Sequence, residues 1–217
     1  MPGKNWLRWV GLTVLVLSGC ARIFDPAFVE DLLYRQYVQD GWEAFAVKDY
    51  HYAIDRFSRA AVKDSLRGEA FAGLGWSYLM LKNFAAADIN FARCSRNPDS
   101  SYWGYAGWAF LKSLQDSFKI SNRYLMVVMT HRERWQFPYG PVLGKVHLWA
   151  LMAHNYFLLA EYTQSLWAIQ NNNPTFSVDV QTPAGLTSLA KEIERWLQYA
   201  NGQMAGIPRP QFHYFTP

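Results

Sequence analysis

The sequence predicts an all-α chain of stacked helix pairs, and three observations carry that expectation. First, the stretches YVQDGWEAFAVKDYHYAIDRFSRAA, beginning at Tyr37, and FAGLGWSYLMLKNFAAADINFARCS, beginning at Phe71, align without a gap at an offset of 34 residues. Second, small and aromatic residues recur in that register: Gly41 with Gly75, Trp42 with Trp76, Ala53 with Ala87, Phe57 with Phe91, and Ala60 with Cys94. A repeat of this length is the mark of a supersecondary unit that buries its apolar face against its neighbours. Third, 51% hydrophobic and 17% aromatic residues supply enough apolar surface for a packed fold.

The elements follow in order. Asp25-Pro26 joins an N-cap to a first-turn proline, so the first helix starts there and runs to about 47. Further helices are expected near 50–62, 68–81, 84–96, 101–114 and 118–130, with Asn97-Pro98-Asp99 as a breaker. The segment HRERWQFPYGPVLG, residues 131–144, has two Pro and two Gly and reads as a long connecting loop, charged and aromatic at once. Helices near 145–159 and 161–171 come next, ended by Asn171-Asn172-Asn173-Pro174. Thr182-Pro183 opens a last helix, about 184–200, whose Leu186, Leu189, Ile193, Trp196 and Leu197 share one face. That helix is expected to cap the end of the array, with the tail 206–217 extended along the surface.

The second copy reads Phe71-x2-Leu74-Gly75-x2-Tyr78, then Ala87-x3-Phe91-x2-Cys94. This resembles the tetratricopeptide repeat (TPR), a helix–turn–helix unit with W-x2-L-G-x2-Y followed by A-x3-F-x2-A. A third copy keeps Tyr105, Ala109 and Phe118 but has Ser121 in a small slot. A fourth, after an insertion, reads Trp149-x2-Met152-Ala153-x2-Tyr156, with Glu161-Tyr162 opening a second helix that departs from the pattern at Ser165, Ile169 and Asn172. The resemblance implies a right-handed superhelical solenoid of about four helix pairs: 34–66, 67–100, 101–134 and 145–173. A C-terminal capping helix and tail fill 174–217. It places Cys94 in a small packing slot.

The first nineteen residues carry Lys4 and Arg8, an apolar run from Val10 to Leu17, and no acid. That is the plan of a secretory signal, and the apolar run is shorter than the ~20 residues a membrane span needs. Leu17-Ser18-Gly19-Cys20 resembles a bacterial lipobox. The resemblance implies a signal peptide at 1–19, lipidation of Cys20 as the first mature residue, and a stretch 20–33 leading into the first helix. Ala21, where an Asp would favour inner-membrane retention, points to an outer-membrane lipoprotein facing the periplasm. Lys4 and Arg8 supply half of the formal charge of +4, so the remainder is too weakly basic for a nucleic-acid surface.

No catalytic constellation stands out. His147 and His154 are one heptad apart, about 10 Å along a helix, too far for one metal ion, and H-E-x-x-H is absent. His131-Arg132-Glu133-Arg134 reads as a solvated loop. There is neither a Gly-rich phosphate loop nor G-x-S-x-G. The expectation is a protein that is not an enzyme and takes no metal or cofactor.

In TPR solenoids the first helix of each pair lines a concave face, and the resemblance assigns that face here. It comprises Trp42, Phe45, Trp76, Leu79, Met80, Trp103, Phe110, His147, His154 and Phe157, with Arg35, Val38 and Glu69 in the same register positions. The groove is expected to be aromatic and nearly uncharged. It lacks the Lys and Asn clamp some relatives use for a carboxylate, and Arg35 and Glu69 form its rim. Alternatively these rings pack against the N-terminal helix, the tail or a neighbouring repeat. The functional expectation is a scaffold or assembly factor that binds an apolar segment of another envelope protein. The alternatives are a structural subunit using its outer surface, or a ligand-binding or enzymatic protein using a cavity at His147 and His154.

Overall fold

The computed structural model describes residues 25–97, 102–131, 136–139 and 143–203. The signal peptide expected at 1–19, Cys20 and the tail after residue 203 lie outside the described residues. Nine helices are present among the described residues: α1 (Pro26–Ala46), α2 (Tyr50–Lys63), α3 (Gly68–Met80), α4 (Phe84–Arg96), α5 (Tyr102–Leu114), α6 (Phe118–His131), α7 (Lys145–Leu158), α8 (Tyr162–Gln170) and α9 (Pro183–Gln203). They pack as consecutive pairs, α1 with α2 through α7 with α8, and α9 lies against α7 and α8. The chain therefore has the all-α helix-pair architecture that the repeat predicts.

Local chemistry sets the boundaries. Asp25 caps α1 by accepting from the Ala27 N–H at 3.0 Å. Asp49 accepts from Tyr52 N–H at 3.1 Å, and Asn83, one repeat later, from Ala86 N–H at 3.2 Å. Two residues past the first helix of each pair the backbone turns left-handed: Lys48 (φ 67°), Lys82 (φ 59°), Asp116 (φ 55°) and Ala160 (φ 58°). The first three keep the repeat period, and the insertion around 131–144 displaces the fourth. L-residues are strained in this region by roughly 1–2 kcal/mol. Ala160→Gly is therefore expected to stabilise the fold by roughly 0.5 kcal/mol, part of the relief being offset by added freedom in the unfolded chain. A small rise in urea midpoint checks it.

Close approach of the helices explains the recurring glycines. The Phe57 ring lies between Gly41 and Gly73, where an added Cβ would fall 2.7 and 2.4 Å from the ring. Phe91, one repeat on, sits the same way between Gly75 and Gly107. Cys94 is 1% exposed, in the slot that Ala60 fills in the first copy. The serines that break the small-residue pattern make the same bond in both later copies. Ser121 Oγ donates to the Ala109 carbonyl, and Ser165 Oγ donates to the Ala153 carbonyl, each at 2.8 Å. Between pairs three and four, buried Asn155 accepts from Ser113 Oγ at 2.7 Å and donates to Ser121 Oγ and Asn122 Oδ1 at 2.8 Å. The weaker repeats are thus joined by a buried polar network centred on Asn155 in place of uniform apolar packing.

The segment expected to be only a connecting loop is more than that. Within it β1 (Gln136–Phe137) pairs antiparallel with β2 (Leu143–Gly144), matching Gln136 to Gly144 and Phe137 to Leu143. Phe137 and Leu143 are buried, so these paired residues fix the ladder to the body of the protein, while Gln136 faces solvent.

Candidate protein-binding site

The first helices of the pairs, α1, α3, α5 and α7, pack side by side and present the rings the sequence assigns to a concave face. Phe137 enters this face. Its ring lies 4.9 Å from Trp76, 5.6 Å from Trp42, 6.0 Å from Phe45 and 6.4 Å from Trp103, mostly edge-on. Tyr139 stacks flat on Trp42 at 4.5 Å and meets Trp103 edge-on at 5.5 Å. Trp42 and Trp76 recur one repeat apart, and Ala72 and Ala106 are buried on the same helices as Trp76 and Trp103.

The face predicted as a groove is consequently protein core over most of its length. Trp42, Phe45, Trp76, Leu79, Met80 and Phe110 are buried, and Trp103 is half-buried under the inserted segment. Phe157 is also half-buried, edge-on to Tyr162 at 5.3 Å. The rings do pack internally: the insertion lays Phe137 against Trp42 and Trp76 and Tyr139 against Trp42. The physical reason is area: so many aromatic faces in water would forfeit ~25 cal/mol for every Å² left uncovered. Replacing Trp76 and Phe110 together would remove core and not a binding surface.

The two histidines are also interior. His147 is 3% exposed, and its Nδ1 accepts from the Gly144 N–H at 2.9 Å at the start of α7. His154 is fully buried, edge-on to Phe118 at 6.3 Å, and burial lowers its pKa to about 3, so it is neutral near pH 7. Among the described residues no group of three or more His, Cys, Asp or Glu could hold a metal ion. No described helix is long and apolar enough to cross a membrane.

What stays open is a pocket of about 650 Å³ at the α1 end of the same face. Tyr34, Arg35, Val38, Gln39 and Glu43 line it along α1, Arg67 and Glu69 from the start of α3, and Tyr139 from the insertion. Its charges are pre-positioned. Arg67 lies over the Tyr34 ring at 4.6 Å, pairs with Asp31, and reaches Asp64 at 3.1 Å. Arg35 pairs with the same Asp31 at 2.8 Å. The Arg67 hydrogen bond, followed by that from Arg35, holds the Asp31 carboxyl below its ordinary range. Glu69 accepts from Trp42 Nε1 at 3.3 Å, and Gln39 donates to Glu43 at 2.8 Å. Arg35 and Glu43 stand about 12 Å apart along α1. The pocket lining therefore combines the bases Arg35 and Arg67 and the acids Glu43 and Glu69 with the apolar surface of Val38 and Tyr139.

Arg35, Val38 and Glu69 reach this pocket from the register positions the sequence assigns them. Arg67, Gln39, Glu43 and above all Tyr139 are not assigned by the repeat. The available signal is the alternation of rings with turn residues in Trp135-Gln136-Phe137-Pro138-Tyr139-Gly140, unusual for a solvated loop.

Paired helices in a repeating register, with first helices aligned along one face, define a tetratricopeptide-type solenoid. Two solved structures agree on the fold. PilF of Pseudomonas aeruginosa superposes with a TM-score of 0.56 at 11% identity, over 84% of this chain and 79% of that one. A thermophilic TPR protein of Thermus thermophilus gives 0.52 at 16% identity, over 78% and 91%. A tetratricopeptide repeat protein of Parabacteroides merdae gives 0.49 at 14% identity, over 77% of this chain and 64%, less than two thirds, of that one. No protein-family model and no curated protein matches the sequence.

Proposed function

We propose that the protein is a lipid-anchored TPR scaffold of the bacterial cell envelope, held in the outer membrane through Cys20 and facing the periplasm. It binds a segment of another envelope protein in the pocket between α1, α3 and Tyr139. The observation that carries this reading is the pocket itself. It is the part of the inner face that the insertion leaves open, and it joins apolar walls to charges already held in place. A partner residue entering it displaces little structure, so ordering costs stay low. The matching segment has an apolar centre on Val38 and Tyr139, an acidic group toward Arg35 and a basic group toward Glu69. The lipobox and the signal-like N-terminus support the location, and the TPR fold supports a binding role without catalysis.

The test is site-specific photo-cross-linking in cells from Gln39, inside the pocket, and from Ile89, which is 56% exposed on α4. The expected result is an envelope-protein adduct at position 39 that falls at least tenfold when Glu69→Arg is added, with the helical spectrum unchanged. Adducts from position 89 alone would instead favour a structural subunit engaged by its outer surface.

A further inference from the structure

The first two turns of α1 are apolar on a face that nothing in the described fold covers. Phe28 is 47% exposed, Val29 39% and Leu32 55%, and at helical spacing they form one stripe turned away from the core side of Tyr34, Val38 and Phe45. Leu66, 71% exposed, lies at the same end. Its neighbours Lys63 and Arg67 pair with Glu30, at 2.9 Å, and with Asp31. Beyond Leu32 the exposed residues of α1 are Arg35, Gln36, Gln39, Glu43 and, at its far end, Ala46. Within α1 the exposed large apolar residues are thus gathered at the end from which the chain leads back to Cys20, whereas others on the fold, among them Val47, Val62 and Ile89, stand apart from that stripe.

Chain length states how far that end can stand from an anchor. Six Cα–Cα steps separate Cys20 from Pro26, so even fully extended they span about 20 Å. An acylated Cys20 has its chains in the bilayer, and the stripe begins within that distance of the lipid. Of the acids near the stripe, Glu30 and Asp31 are each paired with a base, and Asp25 is engaged as the N-cap on the Ala27 N–H. We propose that this end of the solenoid docks on the lipid surface, with Phe28, Val29, Leu32 and Leu66 seated at the boundary of headgroups and acyl chains. The inference rests on the reading of Cys20 as a lipid anchor. It gives that anchor a consequence: the solenoid is held in one orientation, its open pocket a turn away from the membrane.

The test uses the full chain with Cys94→Ala, reconstituted in phosphatidylethanolamine–phosphatidylglycerol vesicles. A nitroxide is attached at Phe28→Cys, at Leu32→Cys or, on the outer surface, at Ile89→Cys. The ratio of collision with oxygen to collision with an aqueous nickel chelate is expected to be at least threefold higher at 28 and 32 than at 89. Equal ratios would overturn the docking, as would low access to both reagents, the sign of cover by another part of this chain. Spin–spin broadening that vanishes on dilution with unlabelled protein would assign the stripe to a second copy. Incorporation of labelled palmitate at Cys20 is followed in the same samples. An acylated chain with water-exposed labels overturns the docking alone, whereas absence of acylation overturns the anchor with it.

Discussion

Replacing Phe137 by Ala is expected to lower the unfolding free energy by about 3–5 kcal/mol, a large share of the roughly 5–15 kcal/mol that holds a domain folded. The ring is 3% exposed and meets four rings from three repeats, so its removal forfeits burial and opens a cavity beneath Trp42 and Trp76. The cost should exceed that of a typical core Phe if the short ladder with Leu143 loosens as well, since Tyr139 would then leave Trp42. Urea unfolding gives the free energy. Iodide quenching reports the second effect, because Trp42 and Trp76, at 1% and 0% exposure, should become accessible. Phe137→Leu, which keeps much of the volume, should cost less than half as much. A loss below about 1 kcal/mol with quenching unchanged would mean that the inserted segment does not fill the inner face.

That dependence marks the limit of what a repeat can reveal. Helix positions are legible because the determinants are local and recur: a cap at Asp49 and Asn83, a left-handed turn at Lys48 and Lys82, and a ring between two glycines at Phe57 and Phe91. Even the aberrant Ser121 and Ser165 are local in effect, each reaching the carbonyl of its own first helix. The fate of the inner face is not local. Phe137 belongs to no repeat, and its partners Trp42 and Trp76 are distant in sequence, so nothing in the register announces that they meet. The face is legible in composition but not in accessibility. Trp42 reads equally well as a ligand platform and as the floor under Tyr139, and only the position of the insertion separates the two.

The same shift from surface to core determines how His154 behaves, and it makes stability pH-dependent in a defined window. On the inner face of an open groove this imidazole would titrate near its ordinary value with little effect on folding. Buried, its pKa falls from 6.5 to about 3, with desolvation the cause. The folded-state pKa lies below the unfolded one, so the unfolded chain takes up a proton first as the pH drops. The stability contributed by neutral His154 is complete above about pH 6.5 and is lost as pH falls from 6.5 toward 3. The slope approaches about 1.36 kcal/mol per pH unit, so about 2 kcal/mol should be gone by about pH 5. Most carboxylates, including Asp31 and Asp55 with their lowered values, remain ionised down to that pH, which leaves the range from about 6.5 to about 5 largely to histidine. Urea unfolding measured at half-unit intervals should show the decline in the natural protein. His154→Leu, which fills the same buried position without a proton site, should flatten it. A decline of equal depth in the leucine variant would place the titrating group elsewhere.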